Sequence, residues 1–191
     1  MNTTNKTSEI ISQHPDVSKI ILTEEEIKTA VKDIAEKIDL EYQGKNLLLV
    51  CVLKGSVVFF ADLMRSLKTP AKIDFIRASS YGNSAVSSGE LNFSLKLCED
   101  GLKDVDILIV EDIIDTGNTL KMVADYYKKI AKSVKTCAFL NKPERREADI
   151  EADFYGVKIP NEFVVGYGLD YSENYRTLPY VGVLKREVYE K

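Results

Sequence analysis

Cysteine is scarce in this 191-residue chain, and positive charge is not in excess. The three cysteines, Cys51, Cys98 and Cys137, lie far apart, so neither a paired redox motif nor a zinc knuckle is present. Cys51 and Cys137 sit in apolar runs and read as core fillers. No apolar run is long enough to span a bilayer, and Met1 to Ser8 lacks the apolar segment of a secretory signal. A reducing cytoplasm is the expected compartment, without membrane association. With 26 basic and 30 acidic residues the net charge is -4, which argues against a broad nucleic-acid-binding face. The basic residues from Lys142 to Arg146 are too few for a nucleic-acid stripe and read as a solvated loop.

What is present suits an ordinary globular domain. Hydrophobic residues make up 45% and charged residues 29%, and the length supports a hydrophobic core without metal or disulfide staples. After an irregular start, Thr23 stands three residues before Glu26 as a capping box. Ile27, Val31, Ile34, Ala35 and Ile38 then follow at helical spacing. Leu47 to Leu53 is a continuous apolar run, as expected of a strand covered on both faces. Lys54-Gly55-Ser56 turns it into a helix from Val57 to Leu67, with Ser56 as N-cap. Ile73 to Ser79 reads as another strand. Tyr81 to Glu90 reads as a closing loop, and Phe93 to Leu97 as resumed pairing.

Val105 to Val110 predicts a buried strand, followed by an acidic loop and a helix over Thr119 to Ile130; Val134 to Leu140 predicts the next strand. This alternation points to an α/β fold around a parallel sheet. Beyond the Asn141-Lys-Pro143 break, Tyr155 to Pro160 reads as turn-rich, with short strands at Phe163 to Tyr167 and Val181 to Leu184. A single domain over 1–191 is expected, with a small hood lobe from the N-terminal segment and roughly residues 150–191.

The chemistry concentrates between Ile107 and Leu120. Glu111, Asp112 and Asp115 interrupt an apolar run and need solvation, a partner or a cation, because an isolated buried carboxylate is costly. Two uses fit them: holding a hard cation such as Mg²⁺ together with substrate oxygens, or accepting hydrogen bonds from sugar hydroxyls. Thr116, Gly117, Asn118 and Thr119 offer amides and hydroxyls for a phosphate at a helix start. The plainer reading is a solvated turn and helix cap.

The ordered motifs Leu53-Lys-Gly-Ser56, Ser80-Tyr-Gly82, Glu111 to Thr119, Asn141-Lys-Pro143, Phe163 to Asp170 and Tyr175-Arg176 resemble the type I phosphoribosyltransferases. The resemblance is to their hypoxanthine or hypoxanthine-guanine branch and covers roughly Leu47 to Leu184. It implies a central, mainly parallel sheet flanked by helices, with a hood. It also implies Mg²⁺-dependent transfer of 5-phosphoribose from phosphoribosyl pyrophosphate to hypoxanthine or guanine, by a homodimer or homotetramer.

By this resemblance Glu111 and Asp112 bind ribose hydroxyls and Mg²⁺, Asp115 is the acid/base group at the purine, and Asp115 to Thr119 hold the 5′-phosphate. Lys54 and Gly55 form a pyrophosphate loop with a non-proline cis peptide, and Arg176 binds pyrophosphate. Asp170 lies near a second Mg²⁺. Lys142 approaches the purine oxo group, Phe163 stacks on the ring, and the backbone around Val164 and Asp170 meets its edge. Ser80 and Tyr81 belong to the closing loop. Asn118 and Glu162 stand where some relatives carry lysine. A xanthine-preferring enzyme and an RNA-binding regulator of the same fold are the alternatives.

Overall fold

The computed structural model describes residues 13–77 and 101–190. The elements are strands β1 (Val17–Leu22), β2 (Leu47–Leu53), β3 (Ala71–Arg77), β4 (Asp106–Ile114), β5 (Ser133–Asn141), β6 (Phe154–Lys158), β7 (Val164–Val165) and β8 (Val181–Leu184), with helices α1 (Glu24–Tyr42) after β1, α2 (Val57–Ser66) after β2, α3 (Asn118–Tyr127) after β4 and α4 (Arg186–Tyr189) after β8. The strand readings over 78–79 and Phe93 to Leu97, and the closing loop, lie outside the described residues.

Five strands form a parallel sheet in the order β3-β2-β4-β5-β6. Strand pleating explains the unbroken apolar runs. Leu47, Leu49 and Cys51 of β2 and Leu108 and Val110 of β4 face the core beneath α1 and α2. Leu48, Val50, Val52, Ile107 and Ile109 face the opposite core, with Leu120, Val123 and Tyr127 of α3. A sheet buried on both faces leaves no position for polar alternation.

Helix α1 forms as its spacing predicts. Its stripe Ile27, Val31, Ile34, Ala35 and Ile38 is buried, and Thr23 and Glu26 make a reciprocal capping box. Ser56, in contrast, makes no side-chain cap: its hydroxyl donates to the Val52 carbonyl instead. Of the Tyr155 to Pro160 stretch, Tyr155 to Lys158 is strand rather than turn, because β6 joins the sheet edge beside β5, and Ile159 and Pro160 follow its end. Gly156 permits this approach, since a Cβ there would crowd the Phe139 carbonyl and Ile34.

A second sheet, β1-β8-β7, is antiparallel and unites residues from near both ends of the chain. Strand character therefore begins at Val17, inside the segment that reads as irregular.

In the large sheet, β2 is followed by β3 on one side while β4 lies on the other. This reversal is a topological switch point, where the loops after β2 and β4 diverge and leave a crevice at the strands' carboxyl ends.

Candidate active site

β4 does not stop at Val110. It runs through the acids to Ile114 because β5 continues beside it, pairing Glu111 with Ala138, Ile113 with Leu140 and Ile114 with Asn141. The acids therefore sit on strand rather than in a turn, and pleating sends consecutive side chains opposite ways. Asp112 lies against Gly55, where a Cβ would overlap its Oδ2, and within the fields of Arg176 and Asp170. Glu111 lies within the field of Arg146.

Glu111 is 8% exposed. Burial, with the Asp112 charge beside it, pushes its carboxyl up to about 8 against the pull of Arg146. Burial also pushes Asp112 up to about 6, opposed by hydrogen bonding from the Ile113 N-H and by Arg176, while Asp170 adds to the rise. Each of the two carboxyl groups has too little positive charge around it, so each environment gains from a cation.

Asp115 is the first residue beyond β4. Its Oδ2 lies 3.8 Å from Lys142 Nζ and its Oδ1 lies 3.5 Å from Arg145 Nε. Oδ1 is buried with no hydrogen-bond partner among the described residues. Lys142 follows β5 and is only 5% exposed, so it is no ordinary loop lysine. Desolvation pulls its ammonium pKa down, and the Asp115 charge opposes this.

Thr116 and Gly117 lead into α3, which starts at Asn118, one residue earlier than expected, and ends at Tyr127. Gly117 has φ 83°, a left-handed conformation that suits glycine, and a Cβ there would meet Ile150 and Arg146. The Thr116 carbonyl accepts from the Glu147 and Ala148 amides at 3.0 Å each, and Asn118 Nδ2 donates to Glu147 Oε2 at 3.3 Å. The Asn118 amide reaches Thr116 Oγ1 at 3.4 Å, and the start of α3 faces a loop whose far side is fixed, an arrangement suited to an anion. Thr119 lies in this first turn.

Across the crevice, the Leu53–Lys54 peptide is cis. Lys54 Nζ pairs with Glu173 Oε1 at 3.0 Å. Arg176 pairs with Asp170 Oδ1 at 2.8 Å and Glu173 Oε2 at 3.3 Å, and also donates to the Gly168 carbonyl at 2.8 Å. Gly168 packs so closely on the Gly55 carbonyl that no side chain fits between them. Tyr167, Ser172, Glu173 and Tyr175 all have positive φ, so this loop stores backbone strain of about 1 kcal/mol or more per residue. Hydrogen bonds offset it: Tyr167 Oη donates to Asp62, Tyr175 Oη to Asp16, and the Glu173 amide to Asp170, each at 2.8 Å.

Phe163 and Val164 sit at the second sheet, where Val164 pairs with Val183. Phe163 is 37% exposed. Its ring stacks on Tyr189 of α4, with centroids 4.8 Å apart and planes at 23°, and Tyr171 meets it edge-on at 5.6 Å. Glu162 pairs with Lys19 at 2.9 Å. Ser80 and Tyr81 lie outside the described residues. A cavity of about 780 Å³ is lined by Val58, Asp62, Tyr167 and Arg176, and Glu111, Asp112 and Asp115 do not line it.

A family model described as the phosphoribosyl transferase domain matches residues 17–172. The chain belongs to this family. It is 49% identical over 177 residues to a hypoxanthine-guanine phosphoribosyltransferase of Streptococcus thermophilus, covering 92% of this chain and 98% of the relative. A solved hypoxanthine phosphoribosyltransferase of Staphylococcus aureus is 45% identical with a TM-score of 0.86, over 92% of this chain and 96% of that one. A hypoxanthine phosphoribosyltransferase of Trypanosoma cruzi, solved as a ternary substrates complex, is 40% identical with a TM-score of 0.86, over 92% and 100%.

Within this phosphoribosyltransferase the structure brings together two groups of the residues singled out from sequence. Lys54, Gly55, Asp112, Asp170 and Arg176 form one, and Asp115 to Thr119 with Lys142 form the other. Phe163 and Val164 connect to the first through Tyr171, the neighbour of Asp170. Three residues at the site gave no sequence signal: Glu173 sits in a polar turn, and Arg145 and Arg146 sit in a charged run that reads as solvated. Arg146 is in fact 11% exposed at its side chain and points inward.

Proposed function

We propose that this protein carries out purine salvage, transferring 5-phosphoribose from phosphoribosyl pyrophosphate to N9 of hypoxanthine or guanine to give IMP or GMP and pyrophosphate. The observation that carries the reading is the meeting, at one switch point, of an electron-rich acid pair, a phosphate-type helix start and a pair of cations held by carboxylates. Membership of the family and similarity to the Streptococcus and Staphylococcus enzymes support the substrate assignment.

The donor set fits Mg²⁺. Among the described residues no three His, Cys, Asp or Glu side chains gather as a cage. Mg²⁺ commonly uses one or two carboxylates and completes its shell with water and substrate oxygens. Glu111 and Asp112 would hold it beside the ribose hydroxyls, and Asp170 would hold a second ion on the pyrophosphate side. When bound, the metal supplies positive charge that offsets the pyrophosphate oxygens.

The chain's own groups then act as follows. Lys54 and Arg176 exchange Glu173 for pyrophosphate oxygens and stabilise the departing charge, Arg176 with a planar fork suited to phosphate. Thr116, Gly117, Asn118 and Thr119 hold the 5′-phosphate. Asp115 takes the purine N7 proton, and Lys142 donates to the 6-oxo group, which disfavours a 6-aminopurine. Phe163 stacks on the ring, while the Val164 and Asp170 backbone meets its far edge. Ser80 and Tyr81 belong to a loop that excludes competing water. The working unit is a single domain over 1–191, assembled as a homodimer or homotetramer in the cytoplasm; no helix among the described residues is long and apolar enough to cross a membrane.

The test is Mg²⁺-dependent pyrophosphate release with hypoxanthine, guanine, xanthine and adenine in parallel. Release with the first two is the expected result. Adenine or xanthine as the best acceptor would overturn the specificity, and no release with any base would overturn the reaction.

A further inference from the structure

Arg146 makes contacts that the reaction above does not use. Its Nη1 donates to the main-chain carbonyl of Asp115 at 3.2 Å, and its Nη2 donates to the side-chain carbonyl of Asn141 at 2.7 Å. Asp115 is the first residue past β4 and Asn141 the last of β5, next to Lys142. The β4-β5 ladder ends with Ile114 opposite Asn141, and the Lys142 amide still reaches the Ile114 carbonyl at 3.0 Å. The guanidinium therefore adds a side-chain tie between the ends of the two strands, between the last backbone bond of the ladder and those that the Thr116 carbonyl accepts from Glu147 and Ala148. Its Cδ also fills the space where Gly117 has no side chain.

Burying a guanidinium is costly unless acceptors and charge repay it. Nε makes no hydrogen bond among the described residues and lies 3.7 Å from an exposed Glu151 carboxylate. That outer pair is weak compensation. The two inner acceptors, one on each Nη, account better for the burial.

We propose that Arg146 is a positioning residue that fixes Asp115 and Lys142 relative to one another, so that both address one purine. Proton acceptor and oxo-group donor stand on different loops, 3.8 Å apart at Oδ2 and Nζ. The fork links the Asp115 backbone to the side chain of Asn141, the residue before Lys142, and so adds a side-chain tie to the backbone bonds at this end of the sheet. A misplacement of about 1 Å at such a site costs turnover about 10²-fold. The inference rests on the roles given above to Asp115 and Lys142.

Arg146→Met keeps most of the stem and removes the fork. The expected result is a fall in kcat of about 10²-fold that exceeds the change in either KM. Millimolar guanidinium chloride should restore part of this turnover. Arg146→Lys should stay close to Arg146→Met, because one ammonium does not reproduce the two-pronged fork that reaches both acceptors. Asn141→Ala removes one acceptor only and should give a smaller fall in kcat, which keeps the test available if Arg146→Met does not fold. Full activity in Arg146→Lys overturns the proposal. So does a loss that follows melting temperature alone and that guanidinium does not restore. If the unsubstituted protein transfers no phosphoribose, the failure lies with the reaction and not with Arg146.

Discussion

Glu111→Gln should make the free protein more stable in alkaline buffer while weakening its hold on phosphoribosyl pyrophosphate. In the unfolded chain Glu111 loses its proton near pH 4.5, and in the fold it does so near pH 8, because burial and the neighbouring Asp112 charge disfavour the anion. Between those values the folded state holds the extra proton. Protons bound in the unfolded state minus those in the native state is then negative, so stability falls as pH rises through this window. At pH 7 the gap from 4.5 costs of the order of 3 kcal/mol, and above pH 8 the full shift costs of the order of 5 kcal/mol. Glutamine keeps the volume and cannot ionise. At roughly 2–4 °C per kcal/mol, the variant should melt about 10–20 °C above the parent at pH 8.5 and close to it at pH 5. The carboxylates whose pKa values the fold lowers, such as Asp39 and Asp106, add stability above their ordinary range near pH 4 and do not mask this window. Thermal melts by circular dichroism from pH 5 to 8.5 make the measurement, repeated with Mg²⁺ and phosphoribosyl pyrophosphate, which should raise the parent's melting temperature more than the variant's. Parallel melting curves for the two proteins across the whole pH range would refute the reasoning.

Three further outcomes follow from the same geometry. Asp115→Asn should lower single-turnover chemistry by about 10²- to 10⁴-fold with the phosphoribosyl pyrophosphate KM little changed, and an unaltered rate would remove Asp115 as the proton acceptor. Gly55→Ala places a methyl group on Asp112 Oδ2 and should cost about 1–3 kcal/mol of stability together with donor binding; wild-type values in chemical denaturation and donor titration would contradict that packing. Binding of phosphoribosyl pyrophosphate with Mg²⁺ at pH 7 should expel about one proton, because a cation favours the Glu111 anion. Calorimetry in phosphate and Tris buffers reads that proton, and identical enthalpies in the two would count against it.

The sequence was most legible where one element decides its own structure. The α1 stripe and its capping box need only local spacing, and the β2 run is fully apolar because it is covered on both faces. It was least legible where a distant partner decides. β4 extends through Glu111 and Asp112 because Ala138 to Asn141 pair with it, and nothing inside the acidic stretch announces that neighbour. Gly156 made the β6 region look like turns, although the missing side chain is what lets a strand lie against Phe139 and Ile34. The acids, the helix-start loop and Lys54 were visible as chemistry in sequence. Arg146 and Glu173 were not, because a charged residue in a polar run looks the same whether it faces water or clasps a neighbour.

The pairing of β1 with β8 has a consequence for how the molecule is made. β1 has no hydrogen-bonding partner among the described strands except β8, and β7 likewise pairs only with β8. The ribosome releases residue 22 long before residue 181, an interval of about 10–30 s at ordinary elongation rates. During that interval all five strands of the large sheet emerge while β1 waits with an open edge. The smaller sheet, with Val164 in it, is completed only when the last strand arrives. Chains that end before β8 therefore lack the second sheet, and the core beneath α1 and α2 misses Val181 and Val183.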